Sequence, residues 1–305
     1  MRTWFSEKRV FLLRLTGTLL AIALLALLLK DQGMGEVLEA FRQLTLERVL
    51  LGTGLVLISR LFVVMRWYVL LRSADVKISL RDTTALTFSG LFASNFLPTT
   101  IGGDVVRLAG VMQMGFDRAV CLASIAADRL IGMLGMFIAS PLGLIPAWRT
   151  LGVDMFRASV QIAFFQKAWD FVKRTLQTFS IWAQKPGSLL ISLLCTLGHM
   201  AFTFLSLHVV IEGLASHVSF WMIAGVYSLA YFVTLMPISI NGYGLQELSL
   251  TFLFSNVAGL SAAASLTVAV LIRAFYMISS LPGALYLPSI LVTINQAKKH
   301  MDRDS

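Results

Sequence analysis

Phe96-Leu97-Pro98-Thr99-Thr100-Ile101-Gly102-Gly103-Asp104-Val105-Val106-Arg107 and Leu235-Met236-Pro237-Ile238-Ser239-Ile240-Asn241-Gly242-Tyr243-Gly244-Leu245-Gln246-Glu247 are two versions of one pattern. In both, a proline ends a short apolar run and a glycine stands five residues later. Charge follows, as Asp104 and Arg107 in the first and Glu247 in the second, and each stretch is trailed by a long apolar run with an arginine inside it, Arg129 and Arg273. Proline removes a backbone donor and glycine releases the chain from helical geometry. Pro98, Gly102 and Gly103 should therefore break one helix, and Pro237, Gly242 and Gly244 another. A break inside a bilayer leaves polar backbone that lipid cannot satisfy, so it must face protein or a wet cavity. Interrupted segments at matching places in two halves of a chain mark the binding site of many transporters. The plainer alternative is that Pro98 and Pro237 open ordinary turns outside the membrane.

The chain around these motifs is 57% hydrophobic and only 13% charged over 305 residues, about half the charged fraction of an ordinary soluble domain. Its mean hydropathy of +0.79 is spread along the whole length, which excludes a globular domain with one anchor. It leaves room for six to eight spans at roughly 20 residues each. A first apolar run, from Val10 to Leu29, follows Arg2, Lys8 and Arg9 with no small-residue cleavage site before Lys30, and reads as an uncleaved span. Further runs lie at about 49–71, 84–97, 119–147, 186–211, 218–236, 244–258 and 262–292. The expected fold is an all-α polytopic membrane bundle of about seven to eight segments, one integral membrane domain over residues 1–305, with two broken, re-entrant helices in a pseudo-repeat. Both a full span and a re-entrant hairpin fit residues 84–118. The two cysteines, Cys121 and Cys195, sit in apolar runs and offer neither a disulfide framework nor a metal site.

A formal charge of +9 would suggest nucleic acid for a soluble protein, but here the cations lie between apolar runs and report topology. Lys and Arg number four at residues 1–14, three at 30–48, three at 72–82, six at 149–185, none at 212–217 and three at 293–305. That bias favours a cytoplasmic N terminus and a cytoplasmic 149–185 segment. With complete spans before the prolines, it sets the two breaks near opposite faces, in inverted halves. Within 149–185, Phe156, Val160, Phe164, Val172, Leu176 and Phe179 recur at near-helical spacing between basic residues. The pattern suits an amphipathic helix in the interface, with Trp169 and Trp182 at headgroup depth, and equally a solvated connector packed on its own spans.

Arg60, Arg66, Arg107, Arg129 and Arg273 lie in or beside apolar runs, against Asp104, Asp128 and Glu247. Such residues point to a bundle interior and pair there. Pairing absorbs three arginines, for example Arg107 on Asp104 one turn away, and leaves two positive charges for an anionic ligand. Phosphate is the simplest, and arginine is the side chain best shaped to grip it. Plainer roles stand beside these. Arg66, before Trp67 and Tyr68, reads as an interfacial side chain; Asp104 can cap the following helix; Arg273 can form a salt bridge to Glu247. Asp128 and Arg129 point about 100° apart and should find different partners. His199, His208 and His217 alternate across a helix rather than aligning, and no nucleophile motif or phosphate-binding loop is present. No cofactor, metal or catalytic residue is therefore expected, and no enzyme activity.

These residues carry a resemblance. Arg66-Trp67, Asn95-Phe96-Leu97-Pro98 with Gly102-Gly103-Asp104 and Arg107, Asp128-Arg129-Leu130, Pro237 with Asn241-Gly242-Tyr243-Gly244 and Glu247, and Arg273 together resemble the flippase-like, lysylphosphatidylglycerol synthase transmembrane-region family over nearly the whole chain. The family often has paired glycines where this chain has Asn241-Gly242. The resemblance implies a helical protein of the bacterial cytoplasmic membrane, related to the flippase portion of multiple peptide resistance factors and to archaeal proteins linked with dolichol-type glycosylation. The soluble synthase domain of the former is missing from this sequence, so lipid aminoacylation is not expected of it.

The expected function is movement of an anionic amphiphile, a phospholipid or a polyprenyl-phosphate-linked glycan, between leaflets. Arg60, Arg107, Arg129, Arg273, Asn95 and Asn241 are the candidate headgroup ligands, and Asp104, Asp128 and Glu247 the candidate coupling or ion-pairing carboxylates. The expected partners are membrane lipids, an anionic headgroup above all, and a glycosyltransferase or lipid synthase, but no nucleic acid. Two other classes fit the same sequence: a secondary carrier of a small organic anion, and a non-transporting membrane partner of such an enzyme.

Overall fold

The computed structural model describes residues 34–96, 102–151, 185–235 and 242–287, together with residues 15, 16, 19, 20, 23, 182 and 239. Most of the first apolar run, most of 149–185, and Pro98, Pro237 and Asn241 lie outside the described residues. Every element among the described residues is helical.

After α1 (Met34–Gln43), the chain follows one plan twice. The first run comprises α2 (Leu46–Ser73), α3 (Leu80–Phe96), α4 (Gly103–Gln113), α5 (Arg118–Ala139) and α6 (Pro141–Leu151). The second comprises α7 (Pro186–Gly213), α8 (Phe220–Thr234), α9 (Leu245–Asn256), α10 (Ala262–Ser280) and a 3-10 turn (Leu281–Leu285). Both open with a helix of 28 residues. Both of those helices end through a left-handed residue that is not glycine, Asp75 at φ 63° and Ala215 at φ 52°. The next N–H reaches back in the same way each time, Val76 N to Leu71 O at 3.1 Å and Ser216 N to Ile211 O at 3.3 Å, which satisfies carbonyls the helix end would orphan.

The plan continues in step. Ser79 Oγ accepts from Asp82 N at 3.1 Å and Ser219 Oγ from Met222 N at 3.3 Å, so a serine N-cap starts α3 and α8 alike. Helices of 17 and 15 residues lead to the breaks, and helices of 11 and 12 residues leave them. Asp117 and Ser261 then cap α5 and α10. The repeat read from a dozen residues thus extends over most of the described chain.

Among the described residues, four helical stretches, Leu46–Ser73, Arg118–Ala139, Pro186–Gly213 and Ala262–Leu285, are long and apolar enough to cross a membrane, and Phe220–Thr234 is a shorter apolar helix. The run at 84–118 is two short helices separated at the first break rather than one continuous rod.

The residues pack as two compact units. One comprises residues 1–56, 136–161 and 200–275, the other 57–135, 162–199 and 276–305. Each draws on both runs: the first unit has α8, α9 and most of α10 with α6, and the second has α3, α4 and most of α5 with the 3-10 turn. The borrowed piece sits equivalently in each. In the first unit Gly143 of α6 lies against the backbone of Gly225 on α8, and in the second Gly283 lies against the backbone of Phe88 and Ser89 on α3. The core of the second unit joins Trp67 and Leu71 of α2, Leu86 of α3, Val106 and Val111 of α4, and Ile125 of α5. That core fixes the helices that carry Arg66, Asp104, Arg107, Asp128 and Arg129.

Candidate functional site

In the second unit, α4 starts directly against α3. Gly103 N donates to Ser94 Oγ at 2.9 Å, and a side chain at Gly103 would run into Gly90 O and Ser94 Oγ. Glycine is what lets the two backbones approach. Asp104 then falls in the first turn of α4, behind an N-cap, Gly102, that makes no side-chain cap bond.

Asp104 caps nothing that the structure shows, and instead begins a ladder of alternating charge. Its Oδ2 accepts from Arg129 Nε at 2.7 Å and its Oδ1 from Arg107 Nη1 at 3.3 Å. Arg107 Nη1 and Nη2 both donate to Asp128 Oδ2 at 3.0 Å. Asp128 Oδ1 accepts from Arg66 Nε at 2.6 Å, and Arg66 Nη1 donates to Thr196 Oγ1 at 3.2 Å. Asp128 and Arg129 do take different partners, as their angular offset requires. Side-chain exposure falls along the ladder from 52% at Arg129 and 30% at Asp104 to 8% at Arg107, 3% at Asp128 and 9% at Arg66. One end is open and the other is sealed.

Aromatic rings finish the sealed end. The Arg107 guanidinium lies 3.9 Å from the centre of the Trp67 ring, whose indole N–H donates to Ser124 Oγ at 3.2 Å. Such stacking suits arginine, whose planar cation is weakly hydrated. Arg60 is also buried, with its guanidinium 4.1 Å from the centre of the Tyr276 ring. Asn95 Nδ2 donates to Tyr276 O at 3.2 Å and Ser280 Oγ at 3.1 Å. Ser59 Oγ lies 2.5 Å from His199 Nδ1 on the neighbouring α7. Among the described residues, the ladder joins three guanidinium groups through two carboxylates, and Arg60 is a further buried arginine in the same unit. Buried ionic groups of this kind are held at a desolvation cost and are poor evidence for stability as such.

The first unit repeats the chemistry on a smaller scale. Gly242 and Gly244 turn the chain at φ 73° and 75°, values that favour glycine. α9 starts at Leu245, and Glu247 in its first turn is buried. Arg273 Nε donates to Glu247 Oε1 at 2.5 Å and Arg273 Nη2 to Gly242 O at 3.2 Å. The guanidinium is 4.7 Å from the centre of the Tyr243 ring. The arginine follows its carboxylate by 26 residues here and by 25 in the second unit.

The sequence candidates thus divide into sets. Arg107, Arg129, Asp104 and Asp128 come together; Arg60 and Asn95 meet at Tyr276; Arg273, Glu247 and Gly242 form the pair in the other unit. Arg66 is not an interfacial side chain: it is buried on Asp128 and closes the ladder. Trp182, read as a headgroup-depth ring, is buried, with its Nε1 donating to Leu70 O at 3.2 Å and Ser73 Oγ at 3.0 Å at the end of α2. The Gly103 N–H goes to Ser94 and so is not free for an anion.

A family model described as the lysylphosphatidylglycerol synthase transmembrane region matches residues 14–155 and 148–283. The chain belongs to this family. No curated protein matches it. The matched residues take in both breaks, the ladder and the Glu247–Arg273 pair, so the charged groups lie inside the family region.

Proposed function

We propose that this member of the lysylphosphatidylglycerol synthase transmembrane-region family moves an anionic amphiphile, a phospholipid or a polyprenyl-phosphate-linked glycan, between the leaflets of a bacterial cytoplasmic membrane. The protein is multi-pass with a cytoplasmic N terminus and about seven to eight membrane segments in all.

The observation that carries the reading is the ladder that opens at half-exposed Arg129 and ends at buried Arg66, with arginine at both ends. Asp104 holds Arg129 through one oxygen and Arg107 through the other. A headgroup phosphate offers the same two acceptors and can replace that carboxylate. The acyl or prenyl tail stays in lipid while the headgroup follows the guanidinium groups.

The test is reconstitution into vesicles with three probes: a headgroup-labelled phosphatidylglycerol, its zwitterionic phosphatidylcholine counterpart and a short soluble organophosphate. Movement of the labelled phosphatidylglycerol, abolished by Arg129→Ala and by Arg273→Ala in folded protein, is expected. Lysine at either position should rescue only in part, because a point charge lacks the guanidinium fork. Uptake of the soluble probe alone would make the protein a small-anion carrier. No movement of any probe would leave a non-transporting partner of a lipid or glycan enzyme.

A further inference from the structure

The three candidate carboxylates are not equivalent in how their oxygens are used. Asp128 has both oxygens on guanidinium groups, Oδ1 on Arg66 and Oδ2 on Arg107. Asp104 also spends both, on Arg129 and Arg107, at the open end of the ladder. Glu247 is 5% exposed, bonds Arg273 through Oε1, and leaves Oε2 buried with no hydrogen-bond partner. One turn further along the same face of α9, Thr251 Oγ1 is likewise buried without a partner. A buried polar atom left unpaired is costly and calls for an explanation.

Among the described residues, the surroundings contain little else that carries charge. The elements packed against α9 include α8 and α6. α8 carries Tyr227 and Tyr231 and no charged residue, and α6 carries Arg149, which is exposed. Tyr243 lies in the break, and Arg273 on α10 is the cation bonded to Glu247. The pair is neutral as it stands.

We propose that Glu247 is a proton-binding site whose occupancy sets whether Arg273 can take the anionic group, so that lipid movement is coupled to a proton. The inference rests on the transport reading above and extends it. A proton arriving from water bonds to Oε2 and neutralises the carboxylate. Arg273 keeps its charge but loses its counter-charge, and a singly anionic headgroup takes that place. The site is neutral before the exchange and neutral after it, so neither form leaves an uncompensated charge in the first unit. A headgroup without a proton would face Glu247 as a like charge, and a proton without a headgroup would leave Arg273 uncompensated. Each ligand therefore favours the other, as linkage requires.

The experiment uses the full chain in vesicles with the headgroup-labelled phosphatidylglycerol and an imposed pH difference of one unit. With one proton carried per singly charged lipid and the membrane potential clamped, the label should settle at a tenfold excess in the alkaline-facing leaflet. Glu247→Gln should still bind lipid and should lose the response to pH. If labelled lipid moves but settles evenly between leaflets at every pH difference, the coupling is wrong while the transport reading survives. If no lipid moves, the transport reading fails first. A response that persists in Glu247→Gln would overturn the assignment to this residue. Should Glu247→Gln fail to fold, infrared difference spectra of the natural protein with and without phosphatidylglycerol provide the second readout. A protonated-carboxyl band should appear on lipid binding and move in Glu247→Asp, and its absence would equally overturn the proposal.

Discussion

Asp128→Asn keeps the outline of the side chain and removes its charge, so it asks directly what the sealed end of the ladder is worth. Asp128 is 3% exposed in its side chain and receives three guanidinium bonds, at 2.6, 3.0 and 3.0 Å. Removing one partner of a buried ion pair costs roughly 3–5 kcal/mol, because the other charge stays buried without compensation. Here two guanidinium groups lose one shared counter-charge, and the new amide presents a donor towards one of them, so the loss should lie near the upper end, about 5 kcal/mol. Asp104→Asn is the control. That carboxylate is 30% exposed and its partner Arg129 52% exposed, and a pair in such surroundings is worth about 0–1 kcal/mol. Arg107 keeps Asp128 in that variant. On the scale of soluble domains, where 1 kcal/mol moves Tm by about 2–4 °C, Asp128→Asn should melt roughly 10–20 °C lower and Asp104→Asn no more than about 4 °C lower. Thermal unfolding in detergent, followed by tryptophan fluorescence, reads both. Adding Arg66→Met to Asp128→Asn should recover part of the loss, since it removes a stranded charge. Equal losses for the two aspartates, or no recovery in the double variant, would show that the burial gradient has no energetic meaning.

Other outcomes follow from the same geometry. Gly103→Ala should displace the start of α4 from α3, because the new methyl meets Gly90 O and Ser94 Oγ, and both stability and headgroup movement should drop. Gly244→Ala places a side chain at φ 75°, so it should cost about 1–2 kcal/mol in thermal unfolding and weaken movement of labelled lipid by misplacing Glu247. Trp67→Leu should remove the face beneath Arg107 and the bond to Ser124, lowering stability by more than Tyr68→Leu at the neighbouring position, with differential unfolding as the readout.

The helical plan was legible because its signals are local. Proline and glycine mark the breaks, and long apolar runs mark α2, α5, α7 and α10, whereas the caps at Ser79, Asp117, Ser219 and Ser261 are visible only in the structure. The match between Arg129 and Arg273 was legible because each trails a break by a similar distance. The internal duplication proved wider than its motif: Asp75 and Ala215 share a conformation that their side chains do not announce. Pairings across the chain were harder. Arg66 looked interfacial because Trp67 and Tyr68 follow it, yet its partner is 62 residues away in sequence, and apolar periodicity does not specify which face meets which. Tyr276 under Arg60 and Thr196 on Arg66 left no local signal at all. Trp67 did leave one, since it adjoins an arginine, but the arginine it covers is Arg107 on another helix.

The central claim is that a cationic ladder, open at Arg129 and closed at Arg66, holds an anionic headgroup. Native mass spectrometry of the protein purified from bilayers with equal amounts of phosphatidylglycerol and phosphatidylcholine tests it most directly. The account predicts retention of phosphatidylglycerol over phosphatidylcholine, with that preference reduced in folded Arg129→Gln. Equal retention of the two lipids by the natural protein would contradict it.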